Sequence, residues 1–248
     1  ARFPFTFLTI ATSHIMKPPR SADNELILGL VSVSDRASRG IYDDKGIPTL
    51  EAWCRKAITT PIKVHKRLIP DERFDIERTL RELVDIIGCD LILTTGGMSV
   101  GEEDHIKPAV EAVGSLNVWR VRLKPGKPLA FGEVRGVPFI GCPGNPVAGF
   151  VVFLMMARPY LLRTMGLTDI DVKPMAVRAD FDWLKPGERQ EFVRVRRNDE
   201  GGLDLYHTQN SQVLSSCAWA DGLVDIPVGG TVRKGDMVSY YPFCQFFA

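Results

Sequence analysis

From Leu26 onward the chain alternates short apolar runs with amphipathic stretches, the pattern of strands and helices in a βαβ sheet. Residues 26–33 predict a buried strand, 48–58 a helix with proline in its first turn, and 63–69 a second strand. Between Asp75 and Ile87 the apolar positions Ile76, Leu80, Leu83, Val84 and Ile87 recur every three or four residues. They define one helical face, which Gly88 should end. A third buried strand is expected at 90–95, a helix at 105–113, a fourth strand at 118–123, and a pair at 129–134 and 137–142 joined through Arg135-Gly136. Residues 147–162 are almost all apolar, yet fall short of the roughly twenty needed to span a bilayer and are interrupted by Arg158-Pro159. A buried helix covering the sheet is the expectation.

After about Asp171 the texture changes to short β-type runs at 191–196, 203–208 and 237–241, with turns at Asp199-Glu200-Gly201-Gly202 and Val228-Gly229-Gly230. The organisation expected is therefore a leader over 1–25, disordered and ending around Lys17-Pro18-Pro19-Arg20, an α/β domain over 26–170, and an all-β domain over 171–248.

Charge narrows the function. A net charge of +1 with both signs interspersed lacks the one-sided basic character that phosphate-backbone binding needs, so nucleic acid is not an expected partner. No membrane is expected either. The five cysteines are odd in number and never in a C-x-x-C pair, and the four histidines are scattered. Neither a disulfide framework nor a zinc site is suggested, and a reducing cytoplasm fits best.

In open α/β sheets ligands bind beyond the carboxyl ends of the strands. Ser34-Asp35-Arg36, Pro70-Asp71, Gly96-Gly97, Lys124-Pro125-Gly126-Lys127 and Pro143-Gly144-Asn145-Pro146 each follow an expected strand, and should line one crevice. The stretch 94–101 offers unobstructed backbone N–H groups with the Thr95 and Ser99 hydroxyls as a phosphate cradle, or else a glycine-rich turn into a helix. Asp71 and Asp104 could hold Mg²⁺ across the crevice or cap helices. Lys124 and Lys127, with Arg122 nearby, suggest an anion site. Asn145 lies between two prolines that fix the backbone before a helix N-terminus, which attracts phosphate.

These residues carry a family resemblance. Gly29-Leu-Val-Ser-Val-Ser-Asp-Arg-Ala-Ser38, Gly40-Ile-Tyr-Asp-Asp-Lys-Gly-Ile-Pro48, Arg67-Leu-Ile-Pro-Asp71 and Leu93-Thr-Thr-Gly-Gly97 resemble MogA, the molybdopterin adenylyltransferases, over about 26–97. Gly97-Met-Ser-Val-Gly-Glu-Glu-Asp104, Lys124-Pro-Gly-Lys-Pro128 and Gly144-Asn-Pro146 resemble MoeA, the molybdopterin molybdotransferases, as does the tail, giving about 97–246. The resemblance implies a MoaB/Mog-like fold, α/β with a mostly parallel sheet flanked by helices, followed by a small all-β barrel-like domain. It implies insertion of molybdate into adenylylated molybdopterin with release of AMP. The alternatives are MogA-like adenylylation of molybdopterin by Mg-ATP and a catalytically silent pterin-binding or gephyrin-like scaffold. Asp71 and Asp104 are the implied catalytic and Mg²⁺-binding pair. The implied substrate-binding residues are Ser34, Asp35, Thr95, Gly96, Gly97, Ser99, Gly101, Glu102, Lys124, Gly126, Lys127, Pro143, Gly144, Asn145 and Pro146. Further copies of the chain, or other cofactor-biosynthesis proteins, are the expected macromolecular partners.

Overall fold

A computed structural model describes residues 25–58, 61–98, 104–164 and 167–246. Strands in chain order are β1 Leu26–Val33, β2 Ile62–Ile69, β3 Leu91–Gly96, β4 Gly114–Arg120, β5 Leu123–Lys124, β6 Pro128–Val134, β7 Val137–Cys142, β8 Met175–Arg178, β9 Gln190–Arg197, β10 Leu203–Leu205, β11 Gly222–Ile226 and β12 Met237–Pro242. Helices are α1 Asp35–Ser38, α2 Gly46–Ala57, α3 Arg73–Arg81, α4 Ile106–Val113, α5 Pro146–Val152, α6 Arg158–Thr164 and α7 Ser215–Trp219, with π-helical turns at Glu82–Ile87 and Phe153–Ala157. Two compact units result. Of the described residues, the first holds those up to Arg120, then Pro128–Gly144 and Phe153–Ile170; the second holds Val121–Lys127, Asn145–Val152 and those from Asp171.

The first unit is a six-stranded sheet in the order β2-β1-β3-β7-β6-β4. β1, β2, β3 and β7 are parallel, and β6 runs against both β7 and β4. The mostly parallel sheet expected from sequence is present. Alternation along the strands sorts side chains onto two faces. Val31, Val33, Ile92 and Phe139 pack with Ile76, Leu80 and Leu83 of the α3 segment and Ile106, Ala109 and Val110 of α4. On α2, Trp53 meets Phe153 edge-on at 4.4 Å, and Phe131 of β6 meets Tyr160 of α6 at 4.9 Å. The α3 segment ends as expected at Gly88, whose φ of 74° turns the chain out of the helix.

One expectation needs correction. The fourth strand was placed at 118–123, but β4 runs from Gly114 to Arg120 and lies antiparallel to β6. Beyond Arg120 the Val121 N–H donates to the Lys127 carbonyl, so the chain loops away, and Leu123–Lys124 pairs instead with Gln190 and Glu191 of β9. The second unit is the β domain expected, and between its strands it carries the short helix α7, whose first turn is held by the Ser216 hydroxyl bonding to the Val213 carbonyl at 2.6 Å.

In the second unit the strands run β10-β9-β11-β12-β8. An isolated bridge between Ala179 and Leu203 and the bond from Asp180 N to Leu203 O, 3.0 Å, tie the two edges together in the barrel-like manner expected. Val177, Val193, Val195, Leu203, Val224 and Tyr240 are among its core residues. One helical run among the described residues, Pro146–Arg163, has the length and apolarity of a membrane span, but 72% of it is buried within the protein. It packs as a core helix.

Candidate functional site

The chain steps from β1 outward to β2, then returns past β1 to β3. In open α/β sheets ligands bind beyond the carboxyl ends of the strands at such a reversal, where helix N-termini and loops gather. Ser34 and Asp35 follow β1, Asp71 follows β2, Gly96 and Gly97 close β3, and Pro143 and Gly144 follow β7. All lie at one edge of the first unit.

Local chemistry fixes these turns. Ser34 is the N-cap of α1, accepting the Ala37 N–H at 3.3 Å, and shares a 2.9 Å hydrogen bond with the Tyr42 hydroxyl. Asp35 reaches across to the next loop and accepts the Asp71 N–H at 3.0 Å. The pairing of Ser32 with Thr95 puts both on the face that meets the start of α2. There Asp44 accepts from the Ser32 hydroxyl at 2.8 Å and from the Gly46 and Ile47 N–H groups at 3.2 and 3.1 Å. A Cβ on Gly46 would come within 2.8 Å of the Thr95 methyl. Gly96 has φ 81°, and a Cβ on it would approach the Val33 carbonyl oxygen to 2.2 Å; Gly97 has φ 65°, and a Cβ on it would come to 2.7 Å from the Val33 side chain and 2.9 Å from that of Ile106. Only glycine allows this turn to lie over the end of β1. Gly144 stands over it, its missing Cβ 3.0 Å from the Gly96 Cα.

Asp71 carries the electrostatic signature of the edge. Its Oδ1 is buried with no hydrogen-bond partner. Burial raises its pKa above the ordinary carboxylate value, the neighbouring negative charges of Asp35, Asp104 and Glu72 add to this, and His105 opposes it. Asp104 accepts the Lys107 N–H at 3.4 Å, a weak capping contact at the start of α4. Among the described residues no group of three His, Cys, Asp or Glu side chains is arranged to hold a metal. Mg²⁺, however, commonly takes one or two carboxylates and completes its shell with water and phosphate. A buried, unbonded carboxylate oxygen beside other acids fits such a cation. The buried thiols of Cys54, Cys89 and Cys142 are pushed up to about 12 by desolvation and supply no thiolate.

The lysine loop and the start of α5 belong to the second unit. The Lys124 Nζ pairs with the buried Glu191 carboxylate at 3.0 Å, while Lys127 is exposed. Gly126, with φ 115°, lies against Val152. Asn145 donates from Nδ2 to the Ser211 hydroxyl at 3.0 Å, and Pro146 opens α5 at the position where a missing N–H costs nothing. Ser99, Gly101 and Glu102 lie outside the described residues.

Sequence reasoning assigned no role to Asp44, Tyr42, His105, Glu191 or Ser211. Asp44 had a usable signal, an acid just before a Gly-Ile-Pro helix start. The partners of Ser211 and Glu191 are 66 and 67 residues distant, respectively, and no local pattern announces them.

Residues 29–163 match the family described as a probable molybdopterin binding domain, and 176–243 match the MoeA C-terminal region, domain IV. The chain belongs to the molybdopterin-binding family. It is 56% identical over 90 residues to molybdopterin adenylyltransferase of Escherichia coli K12, covering 36% of this chain and 46% of that one. To molybdopterin molybdenumtransferase of Haemophilus influenzae it is 31% identical over 182 residues, covering 71% and 45%. The chain thus spans about half the length of these curated relatives. A solved MoeA structure from Pyrococcus horikoshii shares the fold with a TM-score of 0.71 at 20% identity, over 88% of this chain and 55% of that one.

Proposed function

We propose that the chain is an enzyme of molybdenum cofactor biosynthesis in the cytoplasm, a molybdotransferase module that accepts adenylylated molybdopterin and molybdate and releases AMP. The observation that carries this reading is the buried Asp71 oxygen with no hydrogen-bond partner, at the strand edge where this fold gathers ligands. An unsatisfied buried oxygen is costly, and a ligand or cation that meets it recovers that cost. The molybdenumtransferase relative and the C-terminal MoeA region in the same chain supply the substrate class.

In this reading Asp71 and Asp104 would hold Mg²⁺, which when bound supplies positive charge at the phosphoanhydride. The chain's own groups do the remaining work. Asp35 fixes the Asp71 backbone through its N–H. The Gly96 and Gly144 backbones come close together at the end of β3, and glycine N–H groups without side chains in the way are the kind of donors a phosphate uses.

AMP release from adenylylated molybdopterin, with molybdate supplied, tests the proposal. Asp71→Asn should lower turnover by about 100-fold or more, the scale of removing one electrostatic stabiliser. Unchanged turnover would overturn the assignment. The long, 56% identical match to an adenylyltransferase favours a second reading, adenylyl transfer from Mg-ATP. Formation of adenylyl-molybdopterin without AMP release would select it, and tight pterin binding without either reaction would leave a binding protein.

A further inference from the structure

The segment Val121–Lys127 is pinned along the start of β9 by a set of bonds within the second unit. Leu123 and Lys124 pair in parallel with Gln190 and Glu191. The Gln190 N–H donates to the Arg122 carbonyl at 3.0 Å, Arg122 donates to the Glu188 carbonyl at 2.8 Å, and Arg189 donates to the Leu123 carbonyl at 3.3 Å. Gln190 is itself fixed, its Nε2 donating to the buried Asp225 at 2.9 Å. This strap delivers Lys124 to Glu191, whose side chain is only 7% exposed against 43% for the lysine. The other Glu191 oxygen is wedged over Gly187, where a Cβ would come within 2.3 Å of it.

The two loop lysines are therefore not equivalent. Lys127 is exposed, whereas Lys124 arrives already bound to a fixed, buried anion. An incoming oxyanion must draw the ammonium away from a carboxylate that has little water to replace it, and stranding a buried carboxylate is unfavourable. We infer that Glu191 is a positioning residue that holds Lys124 in reserve and sets how weakly the Lys124–Lys127 loop binds tetrahedral dianions. Weak binding suits a loop that must release its anion after each turnover. This inference rests on reading that loop as an anion-binding loop.

Binding of molybdate, and of sulfate as a generic tetrahedral dianion, to the full chain tests it by calorimetry. Glu191→Gln frees Lys124 without changing side-chain size, and should tighten binding by about tenfold. A merely structural role predicts the opposite sign, because a disturbed strap binds anions less well. Glu191→Asp keeps the charge but shortens its reach, and should tighten binding by a smaller factor; it decides the matter if the glutamine variant does not fold. Combining Glu191→Gln with Lys124→Met should erase the gain. Binding by both Glu191 variants that is equal to or weaker than wild type, while Lys127→Met still loses affinity, overturns the role of Glu191 alone. Equal binding by wild type and Lys127→Met overturns the anion-loop reading beneath it.

Discussion

Asp71, at the strand ends of the first unit, keeps a carboxylate oxygen buried with no hydrogen-bond partner, whereas Glu191, on β9 of the second, is buried against the ammonium of Lys124 at 3.0 Å. Both are acids removed from water, and the protein handles them in opposite ways. Burial makes the charged form of Asp71 less favourable, and the neighbouring Asp35, Asp104 and Glu72 add to this against the opposing His105. Supplying Glu191 with a cation offsets its desolvation, and leaves that cation less available to anything else. An uncompensated acid is poised to accept a cation, and a compensated one restrains a cation. Under the proposed function, the contrast separates a site that would gain by binding from a loop that would give something up to bind.

The largest expected effect concerns the turn that shapes the first of these regions. Gly96→Ala places a Cβ 2.2 Å from the Val33 carbonyl oxygen at a φ of 81°. It should cost about 3 kcal/mol, combining left-handed backbone strain with a forced shift of β1. Gly201→Ala has a similar φ of 76° but meets nothing within 4 Å, and should cost about 1 kcal/mol. Denaturant titration of the two variants checks this. Equal losses would mean that backbone conformation alone, and not the approach to β1, requires glycine after β3.

Next in size is the paired region. Lys124→Met leaves Glu191 buried without its cation and should destabilise the protein by about 2 kcal/mol, less than the usual cost for a fully buried pair because the lysine is 43% exposed. Lys127→Met, at an exposed position, should change stability by less than about 0.5 kcal/mol. Thermal melts of both resolve the difference, and similar melting points would break the distinction drawn between the two lysines.

Much of the first unit was legible because its central strands β1, β3 and β7 are mostly buried and its helices carry one clean apolar stripe. β1, with seven of its eight residues buried, and the Ile76, Leu80, Leu83 face are such cases. The loops after β1, β2, β3 and β7 could then be assigned to one edge from connectivity alone. β4 was misplaced because its residues are mostly half-exposed or exposed, and its register to β6 shifts at two points. The apolar Val121 and Leu123 continued the strand pattern beyond the residue where pairing stops. Residue types and spacing place Asp71 and the glycines at the strand ends. They could not reach the Lys124–Glu191 or Asn145–Ser211 pairs, which depend on tertiary contacts. Spacing marks Lys124 as a cation beside a turn but carries no sign that Glu191 pairs with it.

The smallest effect is the most discriminating for Asp71. Its folded-state pKa is raised, so the folded protein holds a proton on this carboxyl at pH values where the unfolded chain has lost it. The associated stability is fully present below the unfolded-state pKa and is lost as pH rises through the folded one. At pH 7 wild type should therefore carry a small penalty that Asp71→Asn lacks, and the variant should melt about 2 °C higher. Toward pH 3, where both forms are neutral, the advantage should vanish. Millimolar Mg²⁺ should raise the wild-type melting point and leave that of Asp71→Asn unchanged, since a cation that binds only the ionised folded site stabilises only the chain that has it. If the variant instead melts lower at pH 7, Asp71 acts as a structural carboxylate, and the contrast with Glu191 disappears.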